Sequence, residues 1–126
     1  MSSVKSNDQI KPGFNSFDFD GVVSIGIMPG PLDVIITGRT EEEREHVEAF
    51  LKERGLTNKV YFQQVKKKKR TREMSGLHKA RTLKALLDEG FQISKHFEDD
   101  PIQINVIKEE LPDLDIVAVC HTLTEK

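Results

Sequence analysis

Cysteine is nearly missing from this sequence: Cys120 stands alone, so no internal disulfide can staple the chain. It lies in the apolar run 116–120, where a buried and inert thiol is expected and no redox role follows. No long hydrophobic run occurs and no secretory pattern opens the chain, which speaks against a membrane span or export and makes the cytoplasm the default compartment. Internal repeats are absent as well. The composition left is that of a globular protein, 37% hydrophobic and 32% charged over 126 residues, enough for one domain with a real core. Residues 1–13 are polar, end at Pro12-Gly13 and carry no periodicity, so the domain is expected over 14–126 behind a loose tail.

The net charge of −2 hides an asymmetry. Six of the 19 basic residues, Lys66, Lys67, Lys68, Lys69, Arg70 and Arg72, fall in one short stretch, which leaves 13 to face 21 acidic residues. Such a run can attract a polyanion, although it is more often a solvated loop.

Short apolar or β-branched runs predict strands at 14–18, 33–37, 59–63, 93–97 and 115–119. Helical patterns lie between them. Thr40 followed by Glu41, Glu42 and Glu43 has the form of an N-cap with an acidic first turn, with Val47, Phe50 and Leu51 as the buried stripe and Gly55 as the stop. A second helix is predicted over 76–88, with Leu77, Ala80, Leu83, Leu86 and Leu87 on its apolar face and Gly90 closing it. A third runs over 102–110 and ends before Pro112. This alternation predicts an α/β fold with a parallel sheet covered on both faces, because parallel strands need crossover connections. Ligands in such sheets bind beyond the carboxyl ends of the strands, where the strand order reverses.

Chemistry-bearing residues collect at those ends. The first strand finishes Phe17-Asp18-Phe19-Asp20-Gly21, and in an extended chain Asp18 and Asp20 would face the same side. Two crowded carboxylates repel unless a proton or a hard, oxygen-seeking cation relieves them. The second strand finishes Ile36-Thr37-Gly38-Arg39, a hydroxyl and a flexible amide suited to a phosphate oxygen. The fourth finishes Glu98-Asp99-Asp100-Pro101, and Lys79 or Lys84 of the preceding helix supplies an ammonium. His46, His78 and His121 show no metal-ligand spacing, which speaks against zinc, and His96 reads as structural.

In this order, at successive strand ends, the residues resemble the four motifs of the haloacid-dehalogenase-like phosphatases, from about Phe14 to Val119. The resemblance implies a Rossmann-like three-layer sandwich with strand order 3-2-1-4-5. It implies a magnesium-dependent phosphomonoesterase in which Asp18 is the nucleophile and Asp20 the general acid/base. Thr37, Gly38 and Lys79 would hold the phosphoryl group, Lys79 being preferred to Lys84 because His78-Lys79 with Thr82-Leu83 is similar to the third motif of compact members, such as those of nucleic-acid end-healing and RNA-repair proteins. Magnesium would sit on Asp18, Asp20 (through its carbonyl) and an acid of the fourth motif, Asp99 or Asp100.

In that family a large cap domain often follows the first motif. Here only 24–32 separates it from the second strand, room for a flap hairpin turning at Pro29-Gly30-Pro31, and 64–76 lacks core residues for a second cap. A capless, open site is therefore expected. It suits a large substrate such as a nucleotide, nucleic-acid end or phosphoprotein, or a neighbouring subunit acting as lid. Arg39, Lys67, Lys69 and Arg70 are the candidate substrate contacts, with capping or pairing on the glutamate-rich helix an equal expectation for Arg39. The competing expectations are a nucleic-acid- or protein-binding module without turnover, and phosphoryl transfer to an acceptor other than water.

Overall fold

The computed structural model describes residues 13–120. Strands β1 (Gly13–Phe17), β2 (Val34–Thr40), β3 (Val60–Gln63), β4 (Gln92–Glu98) and β5 (Ile116–Ala118) form one sheet in the order β3-β2-β1-β4-β5. Every pairing is parallel. Three helices cover it, α1 (Arg44–Glu53), α2 (Arg72–Asp88) and α3 (Pro101–Glu110). This is the expected Rossmann-like arrangement. The expected tail and the last residues, including His121, lie outside the described residues, except Gly13, which already pairs with Gln92.

The two faces of the sheet feed separate cores, because alternate strand residues point to opposite sides. Phe17, Phe19, Ile35 and Phe62 pack with Val47 and Leu51 of α1, whereas Phe14 and Ile36 pack with Ala80, Leu83 and Leu86 of α2 and Ile107 of α3. Ile35 and Ile36, neighbours in β2, are both fully buried on opposite faces. Each such side chain contributes about 1.5–3 kcal/mol through burial.

Helix α1 follows a 3-10 turn at Glu41–Glu43, and its start is fixed by the Glu43 carboxylate accepting from the Thr40 amide at 3.0 Å. Gly55, at φ +70°, ends it. Phe50 is half-buried, set edge-on to Phe19 with ring centroids 5.1 Å apart. Helix α2 begins four residues earlier than its apolar pattern predicts. Thr71 caps it, its hydroxyl accepting from the Met74 amide at 3.1 Å, and the first turn is charged, so hydrophobic periodicity could not reveal it. Its buried stripe is Ser75, Gly76, Lys79, Ala80, Leu83 and Leu86, while Leu77 is half-buried and Leu87 exposed. At Gly76 a Cβ would stand 2.9 Å from Val106 Cβ and 3.1 Å from Gln103 Cα, so glycine is what lets α3 approach α2.

Two further expectations are corrected. The segment 24–32 forms no strand pair: a 3-10 turn at Val23–Ile25 leads into turns, and the Asp33 carboxylate takes the Gly30 amide at 2.7 Å and the Asn15 amide at 2.8 Å. The first bond takes an amide that a hairpin would have spent on its own ladder, and the second ties the end of the segment to β1. Cys120 is exposed, because β5 stops at Ala118 and the chain has left the sheet.

Candidate active site

The strand order reverses at β1, whose neighbours are β2 on one side and β4 on the other. Ser16 pairs with His96 and Phe17 with Phe97, and the two phenylalanine rings stack 4.6 Å apart. The residues just past this register, Asp18 and Glu98, therefore emerge side by side at the carboxyl edge. Asp18 is anchored by its amide donating to the Phe97 carbonyl at 2.9 Å.

One buried ammonium joins them. Lys79 of α2 donates to Asp18 Oδ1 at 2.7 Å and to Glu98 Oε1 at 2.8 Å, and all three side chains are nearly or wholly sequestered from solvent. Behind Glu98, His96 Nε2 lies 3.1 Å from Oε1 and His96 Nδ1 lies 2.8 Å from Ser16 Oγ. Burial drives His96 below its ordinary range, so it is neutral. Burial also opposes charge on Lys79, but Asp18 and Glu98 overcome it and push the ammonium up to about 12. Against the same desolvation, Lys79 and the hydrogen bond from His96 pull Glu98 down to about 2.

Asp18 behaves oppositely. Burial raises its carboxyl well above the usual range, and the attraction of Lys79 does not offset that while Glu98 and Asp99 crowd it. Asp18, Glu98 and Asp99 each bring one ligand oxygen to within 4.8 Å of the others. Lys79 is bonded to two of these carboxyl groups, and the third, Asp99, also acts on Arg72, so three acids crowd one another here. The cluster needs protons or a cation.

Asp18 and Asp99 form the wall of an open cavity of about 580 Å³, with Asp20 and Asp100 as its other two carboxylates. Its cations are Arg39, Arg70, Arg72 and Lys79. Asp20 does not continue the line of Asp18 as an extended chain would: the backbone turns at Phe19, and Gly21 at φ +79° completes the turn. Its exposed carboxylate is gripped by the Arg39 fork, Nη2 to Oδ1 at 2.8 Å and Nε to Oδ2 at 3.0 Å. Arg39 also reaches Glu43 at 3.3 Å, and Glu43 in turn accepts from Arg70 at 3.0 Å. Arg70 donates once more to the Gly38 carbonyl at 3.2 Å.

Gly38 lines the cavity, and a Cβ there would stand 2.6 Å from Ser75 Oγ. Thr37 is fully buried behind it, its hydroxyl accepting from the Arg39 amide at 3.0 Å. Of the alternatives left open by the sequence, Lys84 is exposed on the far side of α2 and takes no part. Asp100 is turned away from the cluster: it caps α3 by accepting from the Ile102 amide at 3.0 Å and pairs with Arg72. Asp99 is the acid that stays with Asp18. Lys67 leans on Glu43 at 3.9 Å, and Lys69 touches neither cavity wall.

Glu98 is the residue that sequence reasoning left out of the site, although it opens the acidic run at the end of the fourth strand. The signal was present: Ser16 and Asp18 on one strand, and His96 and Glu98 on the next, alternate with phenylalanines at a period of two, which puts all four polar groups on one face. Compared with known proteins, the chain matches no family model, and no curated protein or solved structure is detectably similar to it.

Proposed function

We propose that this protein is a magnesium-dependent phosphomonoester hydrolase of the haloacid-dehalogenase-like type, acting through an aspartyl-phosphate on Asp18. The observation that carries the reading is the buried Asp18–Lys79–Glu98 bridge with the Asp99 carboxylate beside it, opening onto a cavity at the strand-order reversal. The donor set fits magnesium. Its ligands are all carboxylate oxygens, and octahedral coordination at about 2.0–2.1 Å separates ligand oxygens by roughly 3–4 Å, inside the 4.8 Å spread of these three. Asp18, Glu98 and Asp99 would hold the ion, whose charge would keep Asp18 ionised and shield it from an anionic substrate.

Lys79 fixes Asp18 Oδ1, leaving the carboxylate's other oxygen to attack phosphorus as the bond to the ester oxygen breaks. Asp20 supplies the proton for the departing oxygen, then takes one from the water that cleaves the acyl-phosphate and frees phosphate. The Gly38 rim and Lys79 supply positive dipole and charge to the transferring group. Arg39 must release Asp20 for this, and an arriving phosphoryl group competes for the same guanidinium. The open cavity suits phosphorylated substrates with a large remainder, nucleotides and nucleic-acid ends among them.

One observation favours the non-catalytic reading: Asp20 is clasped by Arg39 instead of facing Asp18. The deciding experiment measures phosphate release from p-nitrophenyl phosphate, nucleotides and phosphorylated oligonucleotides, with magnesium and with chelator, for wild type and Asp18→Asn. Release that needs magnesium and vanishes in Asp18→Asn is expected. No release from any substrate by the wild type would leave a binding domain.

A further inference from the structure

Four carboxyl groups and four basic side chains line the cavity. A divalent cation and a dianionic phosphomonoester add equal and opposite charge, so the site proper is already matched to a single terminal phosphate. The neighbouring recess is not. It has a volume of about 700 Å³ and, among the described residues, is lined by Lys66, Lys67, Lys68 and Arg70 with Glu42 as the one acid. Arg70 is common to both walls, held half-buried by Glu43 and the Gly38 carbonyl. The cavity and the recess are thus adjoining parts of one surface.

Lys66 and Lys68 have no ion pair among the described residues, and both are exposed beside a 3-10 turn at Lys67–Lys69. A substrate consisting of one phosphate on a neutral body would leave that surplus uncompensated. The recess offers no apolar or aromatic side chain among the described residues that line it. Protein partners are held mainly by such anchors, so a folded phosphoprotein is poorly served. A strand with one charge per repeating unit is well served.

We infer that the substrate is the phosphorylated end of a nucleic-acid strand, its terminal phosphate at Asp18 and its following phosphodiesters crossing Arg70 to Lys66 and Lys68. This rests on the phosphomonoesterase reading and narrows its substrate. With no aromatic platform in the recess, recognition is of the backbone and independent of base sequence.

The test compares wild type, Lys66→Ala/Lys68→Ala and Lys69→Ala on a single-stranded oligonucleotide with a terminal phosphate, the matching mononucleotide, an acidic phosphopeptide, inorganic polyphosphate and p-nitrophenyl phosphate. Binding of the phosphorylated oligonucleotide is followed separately by fluorescence anisotropy over a salt series. Wild type should prefer the oligonucleotide to the mononucleotide by about tenfold or more at low salt. The double variant should lose that preference, flatten the log–log salt slope by roughly 1.4, at about 0.7 per single-strand contact, and keep its rate on p-nitrophenyl phosphate. Lys69→Ala should cost less than the double variant. Hydrolysis of p-nitrophenyl phosphate without preference for the oligonucleotide, a preference for phosphopeptide or polyphosphate, or an equal loss in Lys69→Ala would each overturn the inference while leaving the phosphatase chemistry standing. If p-nitrophenyl phosphate and every other substrate resist hydrolysis, the phosphatase reading fails, and this inference with it; salt-dependent anisotropy would then report only a polyanion-binding surface.

Discussion

Replacing Lys79 with methionine keeps most of the side-chain volume and removes the ammonium buried between Asp18 and Glu98. Its two partners, Asp18 and Glu98, are then left facing each other and Asp99 without it. Breaking a buried ion pair on one side costs about 3–5 kcal/mol, since the remaining charge has lost both water and partner. At about 4 °C per kcal/mol for a domain of this size, Tm should fall by roughly 12–20 °C. The cost should also depend on pH in a fixed direction. Lys79 lowers both carboxyls, so without it both rise; acids raised in the folded state lose stability as pH increases through the gap between their unfolded and folded values. Lys79→Met should therefore be more damaging at pH 8 than at pH 5. Thermal melts monitored by circular dichroism, in chelator at both pH values, provide the measurement. Adding Asp18→Asn and Glu98→Gln to Lys79→Met should restore most of the loss, because no buried charge is then stranded. A Lys79→Met protein that melts within about 4 °C of wild type at pH 8 would refute the account of the bridge.

Other consequences can be checked on the same preparations. Asp99→Asn should weaken magnesium binding in calorimetry by tenfold or so with little change in Tm, whereas Asp100→Ala should leave binding intact and cost about 1 kcal/mol through its cap; the reverse pattern would mean the two acids have been assigned backwards. Gly76→Ala should destabilise by about 1–3 kcal/mol by forcing α2 off α3, and an unchanged denaturation midpoint would show that the helices have room to spare. Burial lowers His78 below its unfolded value of 6.5, so the unfolded chain protonates first and stability drops as pH falls through 6.5. The slope is at most about 1.4 kcal/mol per pH unit, and His78→Gln should reduce it; identical slopes between pH 7 and 5 would dismiss the effect.

The strands were legible because apolar runs bounded by turn residues mark buried parallel strands, and all five fall within a few residues of their expected places. The start of α2 was not, because a Thr cap followed by Arg72 and Glu73 carries no apolar period. Choosing Lys79 over Lys84 needed the helix's rotation about its axis, which a shifted start obscures. Choosing Asp99 over Asp100 depended on which of two adjacent carboxylates caps α3, and only the backbone direction after β4 decides that. The clasp of Arg39 on Asp20 joins residues far apart in the chain, beyond the reach of any local pattern.

Glu43 ties distant parts of the molecule to one side chain. It accepts from the Thr40 amide where β2 gives way to α1, and from Arg39 and Arg70 where they border the cavity. The geometry of the pocket mouth is thus inherited from the first turn of a helix that packs on the opposite face of the sheet. Inserting or deleting a residue between Thr40 and Arg44 would leave the core packing of that helix able to readjust, yet would pull two guanidiniums out of position together. That short turn is where a change in loop length would be read out as a change in what the cavity accepts.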